Sequence, residues 1–375
     1  MRVIDREQRL AALDVFRGLT VVGMVFVNNP GDWGHLYGPF DHAEWHGWTP
    51  TDLIFPWFLF IVGVAGVFSL EKRMAHGADR AALARHALRR GMTIVLVGWL
   101  MGFYPFVPFL ERLSHLRIPG VLVRIGVSYA LGTCLLLAVW KRRVPGVAAA
   151  IVILLALHTW LLLGTGYDLT PAGNVQRAVD LAVLKGHLWK NVQGWDPEGI
   201  VSTLTAIATM LTGTLTGFLL KGGAGAKAKA GTLLAWGAGA TAAGLLWGRF
   251  LPINKNLWTA SYVVFTSGAA LVMLGLCLYV VDVLGWKKPF AFFLTFGTNP
   301  LLVFVLSGLL AKTMSLIRWT DVTGKAISLQ AWLYRTAFSW IADPTLRSHA
   351  FALVTILFWW AVLRAFEKKG WFWKI

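Results

Sequence analysis

The chain has 375 residues, 57% of them hydrophobic and only 14% charged, with a formal net charge of +17. A soluble domain carries about 25% charged residues, and apolar runs of about 20 residues, enough to cross a bilayer, recur here from end to end. The composition excludes a soluble globular protein, and the positive charge falls between the apolar runs, where it reports membrane orientation rather than nucleic-acid binding.

The pattern predicts an all-α, polytopic membrane helix bundle, one transmembrane domain over 1–375. Ten spans are expected, at 12–28, 53–70, 91–108, 119–140, 144–163, 199–220, 231–249, 260–282, 290–311 and 347–366. With both termini in the cytoplasm, the short inner segments hold 20 Lys and Arg and the much longer outer ones 12. The positive-inside rule favours that orientation. No small-residue cleavage site follows the first apolar run, so no cleavable signal peptide is expected. The two cysteines, Cys134 and Cys277, lie inside apolar runs and carry no disulfide or metal spacing.

Span 1, "LDVFRGLTVVGMVFVNNPG", carries Asp14 and Arg17 three residues apart, in pairing register on a helix. Asn28 is eleven residues beyond Arg17, on the same face and about 16 Å along the axis. Asn28 reads either as a polar group at the outer mouth or as a C-terminal cap before Pro30 and Gly31. The loop that follows, "FDHAEWHGWTPTDL", places His42, Trp45 and His46 at the mouth of span 2. Thr49, Pro50 and Asp52 have the spacing of a helix start, with Thr49 as N-cap and Asp52 at N3. His42 and His46 are four apart, as in a zinc pair, but Gly47 and Pro50 interrupt a helix there and no third ligand is placed by spacing. No metal is expected. A histidine at such a site titrates near neutrality and can accept a proton from an amine or hydroxyl nucleophile.

The inner loop 71–90 reads as a basic helix-like stretch on the anionic leaflet. "RIPGVLVRIG" buries Arg124 about one turn into span 4. "WDPEGIVSTLTAIAT" predicts a helix starting at Asp196-Pro197-Glu198, with carboxylates at its positive end. "LPINKNLWTASYVVFTSG" gathers Asn254, Lys255, Trp258, Ser261 and Tyr262 at the outer mouth of span 8, and "FGTNPLLVF" places Asn299 before Pro300 early in span 9. Ionisable and polar groups inside membrane spans are costly and mark functional paths by default. Six such positions in one bundle predict a polar cavity. Trp45, Asp52, Glu198 and Trp258 are its candidate substrate-binding residues.

Taken together and in order, these stretches resemble the heparan-alpha-glucosaminide N-acetyltransferase family, the lysosomal enzyme and its bacterial, NagX-like relatives. The resemblance covers nearly the whole chain but not the large luminal extension of the lysosomal enzyme. It implies transfer of the acetyl group of cytoplasmic acetyl-CoA to the amine of a glucosamine-type sugar on the far side of a bacterial inner membrane, by a homodimer. The family's active histidine in H-A-x-W-x-G-x-T falls on His42 and the asparagine of its F-V-N on Asn28. The interval between them is about three residues longer here, so the intervening loop must bulge. His46 stands where the lysosomal motif has Asn. In this reading His42 is the base or the acetyl carrier and Asn28 the oxyanion donor. Arg17, Asp14, Arg124, Lys255, Ser261 and Asn299 face the cofactor, with Arg17 better placed than Arg124 for its phosphates. The competing reading is an amino-sugar transporter, which would also need a polar path; no inverted repeat is evident between the two halves.

Overall fold

The computed structural model describes residues 10–190, 194–321 and 324–373. Arg2, Arg6, Arg9 and Lys374, counted above for orientation, lie outside the described residues. The chain is helical nearly throughout. In order, α1 (Ala11–Asn28), a 3-10 turn (Pro50–Leu53) running into α2 (Ile54–Ala75), α3 (Arg80–Phe103), α4 (Phe109–Ser114), α5 (Val121–Ala138) and α6 (Arg143–Leu163) make the first half. Then follow α7 (Val175–Leu184), α8 (Ile200–Lys221), α9 (Ala226–Trp247), α10 (Ala260–Cys277) with a π-helical extension to Val283, α11 (Ala291–Thr298), α12 (Pro300–Leu316), α13 (Leu329–Ala337) and α14 (Pro344–Lys368). Between α12 and α13 a small antiparallel hairpin pairs β1 (Arg318–Thr320) with β2 (Ala326–Ser328), Arg318 opposite Ser328.

Among the described residues seven helices are long and apolar enough to cross a membrane, and α11 with α12, bent by 71°, make an eighth if the pair counts as one. α3 and α9 are equally long but less apolar: α3 opens with Arg80, Arg85, Arg89 and Arg90, and α9 is rich in Gly and Ala. The basic stretch 71–90 is not a loop. Its first residues finish α2, Gly77 turns the chain at φ +84°, and Asp79 caps α3 by accepting the Ala82 N–H at 2.5 Å, so the arginines are helical.

In lipid the hydrophobic effect does not drive helices together, so close packing must. The α2–α8 pair is the tightest example: a Cβ on Gly63 would sit 1.9 Å from the Met210 carbonyl oxygen, and one on Gly213 2.0 Å from that of Phe60. Glycine is the only residue that fits at either crossing. Around this pair a core of Phe55, Leu59, Met210, Leu211, Trp258 and Tyr262 joins α2, α5, α6, α8 and α10. A second core, centred on Phe16, Phe60 and Leu274, joins α1, α2, α9 and α10. Two polar ends result. At one, Glu71 bridges Arg143 and Lys221, tying α2 to α6 and α8, and Asp282 accepts the Ala12 N–H and caps α1. At the other, segments 29–52, 164–190, 194–198 and 248–259 fold onto one another, and the candidate site lies there.

Candidate active site

The loop before α2 is held by its own short side chains. Thr49 and Asp52 form the expected capping box, and Thr49 Oγ1 also donates to the Asp41 carbonyl at 2.6 Å. Thr51 donates to the Pro39 carbonyl, and Gly47, at φ +101°, donates its N–H to Ile253. The loop therefore bulges over the bundle and docks on the 252–259 segment.

Asp52, only 1% exposed, does more than cap. Its Oδ2 accepts the backbone N–H groups of Ala43 (3.1 Å) and Thr49 (3.0 Å) and lies 3.3 Å from the Thr49 hydroxyl, whose one proton goes to the Asp41 carbonyl. Its Oδ1 lies 2.6 Å from His42 Nδ1. Tyr262, fully buried, donates to the Asp52 carbonyl at 2.5 Å and fixes the backbone beneath. A buried carboxylate against Nδ1 assigns the proton to that nitrogen and leaves Nε2 as the basic atom. Lys255 Nζ stands 3.1 Å from Nε2 and 3.4 Å from Asp52 Oδ1. It is also 3.0 Å from Nδ1, but the Nδ1 hydrogen is directed at the carboxylate. Burial pushes the Lys255 ammonium below the ordinary lysine pKa, against the opposing pull of Asp52 and Glu198. The group is thus a histidine–carboxylate dyad, half-exposed at His42, with a primary ammonium against the imidazole ring, nearly equidistant from its two nitrogens.

His46 is not a second ligand. Its Nδ1 accepts from Asn254 Nδ2 at 3.3 Å, and burial lowers its pKa, keeping it neutral. Asn28 ends α1 and is exposed, and it enters none of the dyad's hydrogen bonds. The expected cap role belongs to its neighbour: Asn29, buried, donates to the Val25 carbonyl at 2.8 Å. Phe26, one turn back, packs edge-on against Phe40 at 4.9 Å, which brings the end of α1 against the loop that carries His42.

Asp14 and Arg17 pair at 2.6 Å, and Arg17 also donates to the Gly297 carbonyl where α11 breaks into α12. Asn299, buried at that break, bonds the C-terminal segment through Trp371 and Trp373. Arg17 and Trp373 line a cavity of about 430 Å³ whose other walls are apolar, among them Phe58, Ile61, Ile94, Leu122 and Phe304. Arg90 lines it too, over the Tyr129 ring at 5.0 Å, with its Nε buried and without a hydrogen-bond partner among the described residues. The basic run ending at "LRR" held the signal for Arg90; assigned to a surface loop, it was passed over. Phe58 lies six residues from Asp52, about 9 Å of helical rise, so the cavity approaches the dyad from below.

Other expected residues sit differently. Arg124 does not line the cavity. It is buried at the dyad's end of the bundle, 4.9 Å from the Trp258 ring centre, donating to Ser202 Oγ (2.5 Å) and the Gly199 carbonyl (3.2 Å). Trp258 is not an open sugar platform: it is 1% exposed, holds φ +52°, and spends its indole N–H on Thr209. Ser261 is buried and bonded to Thr259 and the Pro252 carbonyl, so it shapes the 252–259 loop rather than facing the cavity. Trp45 donates to the Leu169 carbonyl at 2.7 Å and packs edge-on against Trp195. Glu198 and Asp196 do not cap α8, which starts at Ile200; both are bound by Arg117, Asp196 through two bonds at 2.5 and 2.8 Å. The cap comes from α7, where Asp180 accepts the N–H groups of Ile200 and Asp196, and Gly199 leaves it room. Burial pushes Asp180 up to about 6. Neither Asp180 nor Arg117 stood out in the sequence, because their partners lie 16–20 and 79–81 positions away.

Apolar helices closed around a histidine–carboxylate dyad at one end, and around an arginine-lined cavity toward the other, define a multi-pass membrane protein with a built polar site. Residues 9–177, which include Asn28, His42, Asp52, Arg90 and Arg124, match the family model described as heparan-alpha-glucosaminide N-acetyltransferase, catalytic. The chain is similar to the heparan-alpha-glucosaminide N-acetyltransferase of Homo sapiens (30% identical over 356 residues, 79% of this chain and 52% of that protein). It is similar also to that of Mus musculus (29% over 351 residues, 79% and 53%). The family model covers just under half of this chain, and the chain spans about half the length of these curated relatives.

Proposed function

We propose that the protein is a transmembrane N-acetyltransferase that moves the acetyl group of acetyl-CoA on the cytoplasmic side to the amine of a glucosamine-type sugar on the other. In this reading the whole chain works as one unit of ten spans with both termini cytoplasmic, α3 and α9 crossing with the others and α11–α12 forming one broken span. It resides as a homodimer in a bacterial inner membrane.

The observation that carries the proposal is the dyad. The Asp52 carboxylate holds His42 with Nε2 basic, and the amine must lose a proton before or as it attacks a thioester. His42 Nε2 takes that proton, and Asp52 stabilises the imidazolium that forms. The thioester oxygen gains charge in the transition state; Asn28, exposed at the end of α1 beside the His42 loop, supplies a donor to it. On the donor side Arg17 and Arg90 meet phosphates, with the unpartnered Arg90 Nε free to donate, and the apolar wall from Ile94 to Phe58 fits a pantetheine arm. Asp14 and Asn299 hold Arg17 and Trp373 in place there. On the acceptor side Trp45 and Glu198 stand where the outer loops meet, and Trp258 and Arg124 support the floor from within.

The purified full chain in detergent, given acetyl-CoA and glucosamine, is expected to release free CoA. His42→Ala abolishes that release while acetyl-CoA binding persists. Unchanged release by His42→Ala removes the dyad from the chemistry.

A further inference from the structure

Lys255 is set apart from the chain's other lysines by how firmly it is presented. Asn254 and Thr259 bond each other twice across the loop, the Thr259 N–H to the Asn254 carbonyl and the Asn254 N–H to Thr259 Oγ1. The Asn254 side chain accepts the Leu257 N–H at 2.8 Å, and the Trp258 N–H returns to the Lys255 carbonyl. Trp258, in the left-handed region, is locked by Thr209 on its indole and Thr205 on its carbonyl. A loop so fixed has one outcome: a primary ammonium, with its side chain 18% exposed, delivered against the His42 ring, 3.0 Å from Nδ1 and 3.1 Å from Nε2, and 3.4 Å from Asp52 Oδ1.

Those are the contacts a substrate ammonium needs in order to be deprotonated. A general base lies at hydrogen-bond distance, and a buried carboxylate holds the charge until the proton leaves. Two ammonium groups cannot occupy the one space between the His42 ring and Asp52 Oδ1. We propose that Lys255 occupies the acceptor-amine subsite and is itself an acetyl acceptor, becoming Nε-acetylated when the acetyl donor is bound and no amino sugar has displaced it. The inference rests on the acyl-transfer reading above.

The step balances without any further reagent. His42 Nε2 takes a proton from the Lys255 ammonium, and the freed lone pair attacks the thioester carbonyl. The C–N bond forms, the C–S bond breaks, and that proton passes from His42 to the departing CoA sulfur; the second proton, made acidic on the acylated nitrogen, then leaves through His42 Nε2 to water, so one net proton is released. The products are an amide on Lys255 and free CoA, one equivalent per chain. Burial, which disfavours the ammonium, works in the same direction. The amide carries no charge and gives up the ion pair with Asp52, so the modified chain no longer turns over.

The test is the wild-type full chain in detergent with acetyl-CoA and no acceptor, followed by peptide mass spectrometry. Lys255 is expected to gain one acetyl group about 10²-fold faster than exposed Lys227, the low end of what a positioned base supplies. Saturating glucosamine suppresses the gain, and His42→Ala removes it at Lys255 without altering Lys227. Lys255→Arg loses the single equivalent of CoA released without acceptor. If Lys255 is modified no faster than Lys227 while the same preparation releases CoA with glucosamine, the inference is overturned and the acyl-transfer reading stands. If neither CoA release nor modification occurs, the acyl-transfer reading fails and the inference with it.

Discussion

Asp52→Asn is the substitution whose outcome the geometry fixes most closely. The Oδ2 position receives two short, fixed donors, the Ala43 and Thr49 N–H groups, whereas Oδ1 meets His42 and, at a longer 3.4 Å, Lys255. An asparagine must therefore place its oxygen at the Oδ2 position, since an amide NH₂ there would face donors. Its NH₂ then points at His42 Nδ1 and donates to it. The imidazole proton is driven to Nε2, and the base is lost although the loop and the capping box remain. General-base catalysis contributes about 10²–10⁴-fold, so kcat should fall by that factor, equivalent to about 3–5 kcal/mol in the barrier. The assay is CoA release by the purified full chain, with KM for acetyl-CoA and the thermal midpoint measured alongside. KM should stay near wild type, because the donor cavity is elsewhere, and the thermal midpoint should fall without loss of folding, because the two backbone N–H bonds persist while Lys255 loses its carboxylate. A kcat close to wild type in a folded Asp52→Asn protein would refute the assigned tautomer and the role built on it.

Arg17→Ala and Arg90→Ala should each raise KM for acetyl-CoA about 10–100-fold, the loss of a charge-assisted bond to phosphate. Neither should affect acetyl-pantetheine, which lacks the nucleotide phosphates; an equal loss with both donors would place the arginines in folding instead. Asn28→Ala should lower kcat about 10²–10³-fold with little change in either KM, the signature of a donor used only in the transition state; a KM effect alone would make it a binding residue. Asp180 has its pKa raised to about 6, so the stability it contributes is complete below the unfolded carboxylate value and is lost as pH rises through about 6. The thermal midpoint of wild type should fall relative to Asp180→Asn between about pH 4 and pH 6, by the equivalent of up to about 3 kcal/mol; a constant difference over that range would contradict the burial account.

Much of the bundle was legible because helix-length apolar runs are local. Each expected span overlaps a helix, though 290–311 divides between α11 and α12 and 91–108 outlasts α3, and seven or eight of the described helices have spanning length and apolarity; the Thr49-Pro50-Asp52 start and the Asp14–Arg17 pair are local too. The helical character of 71–90 was legible, but its division was not: charge density set it apart from the spans, when the Asp79 cap makes its arginines the opening turns of α3. The α8 start was misplaced because Asp196 and Glu198 have the composition of a cap, but their charges are taken by Arg117 and the cap arrives from α7. His42 could be singled out from its motif, yet nothing in the sequence joined it to Lys255, which lies 213 residues away. Trp258 was a substrate-binding candidate because polar residues surround it in sequence; its ring is buried, 4.9 Å from the Arg124 guanidinium.

The central claim is that the acetyl group crosses the bilayer while the sugar does not. Proteoliposomes holding acetyl-CoA on the side of the Arg17 cavity, with labelled glucosamine on the side of His42, test it directly. The account predicts N-acetylated sugar in the glucosamine compartment and free CoA in the other, both abolished by His42→Ala. Unmodified glucosamine accumulating in the acetyl-CoA compartment, with the thioester intact, would contradict it and identify a transporter.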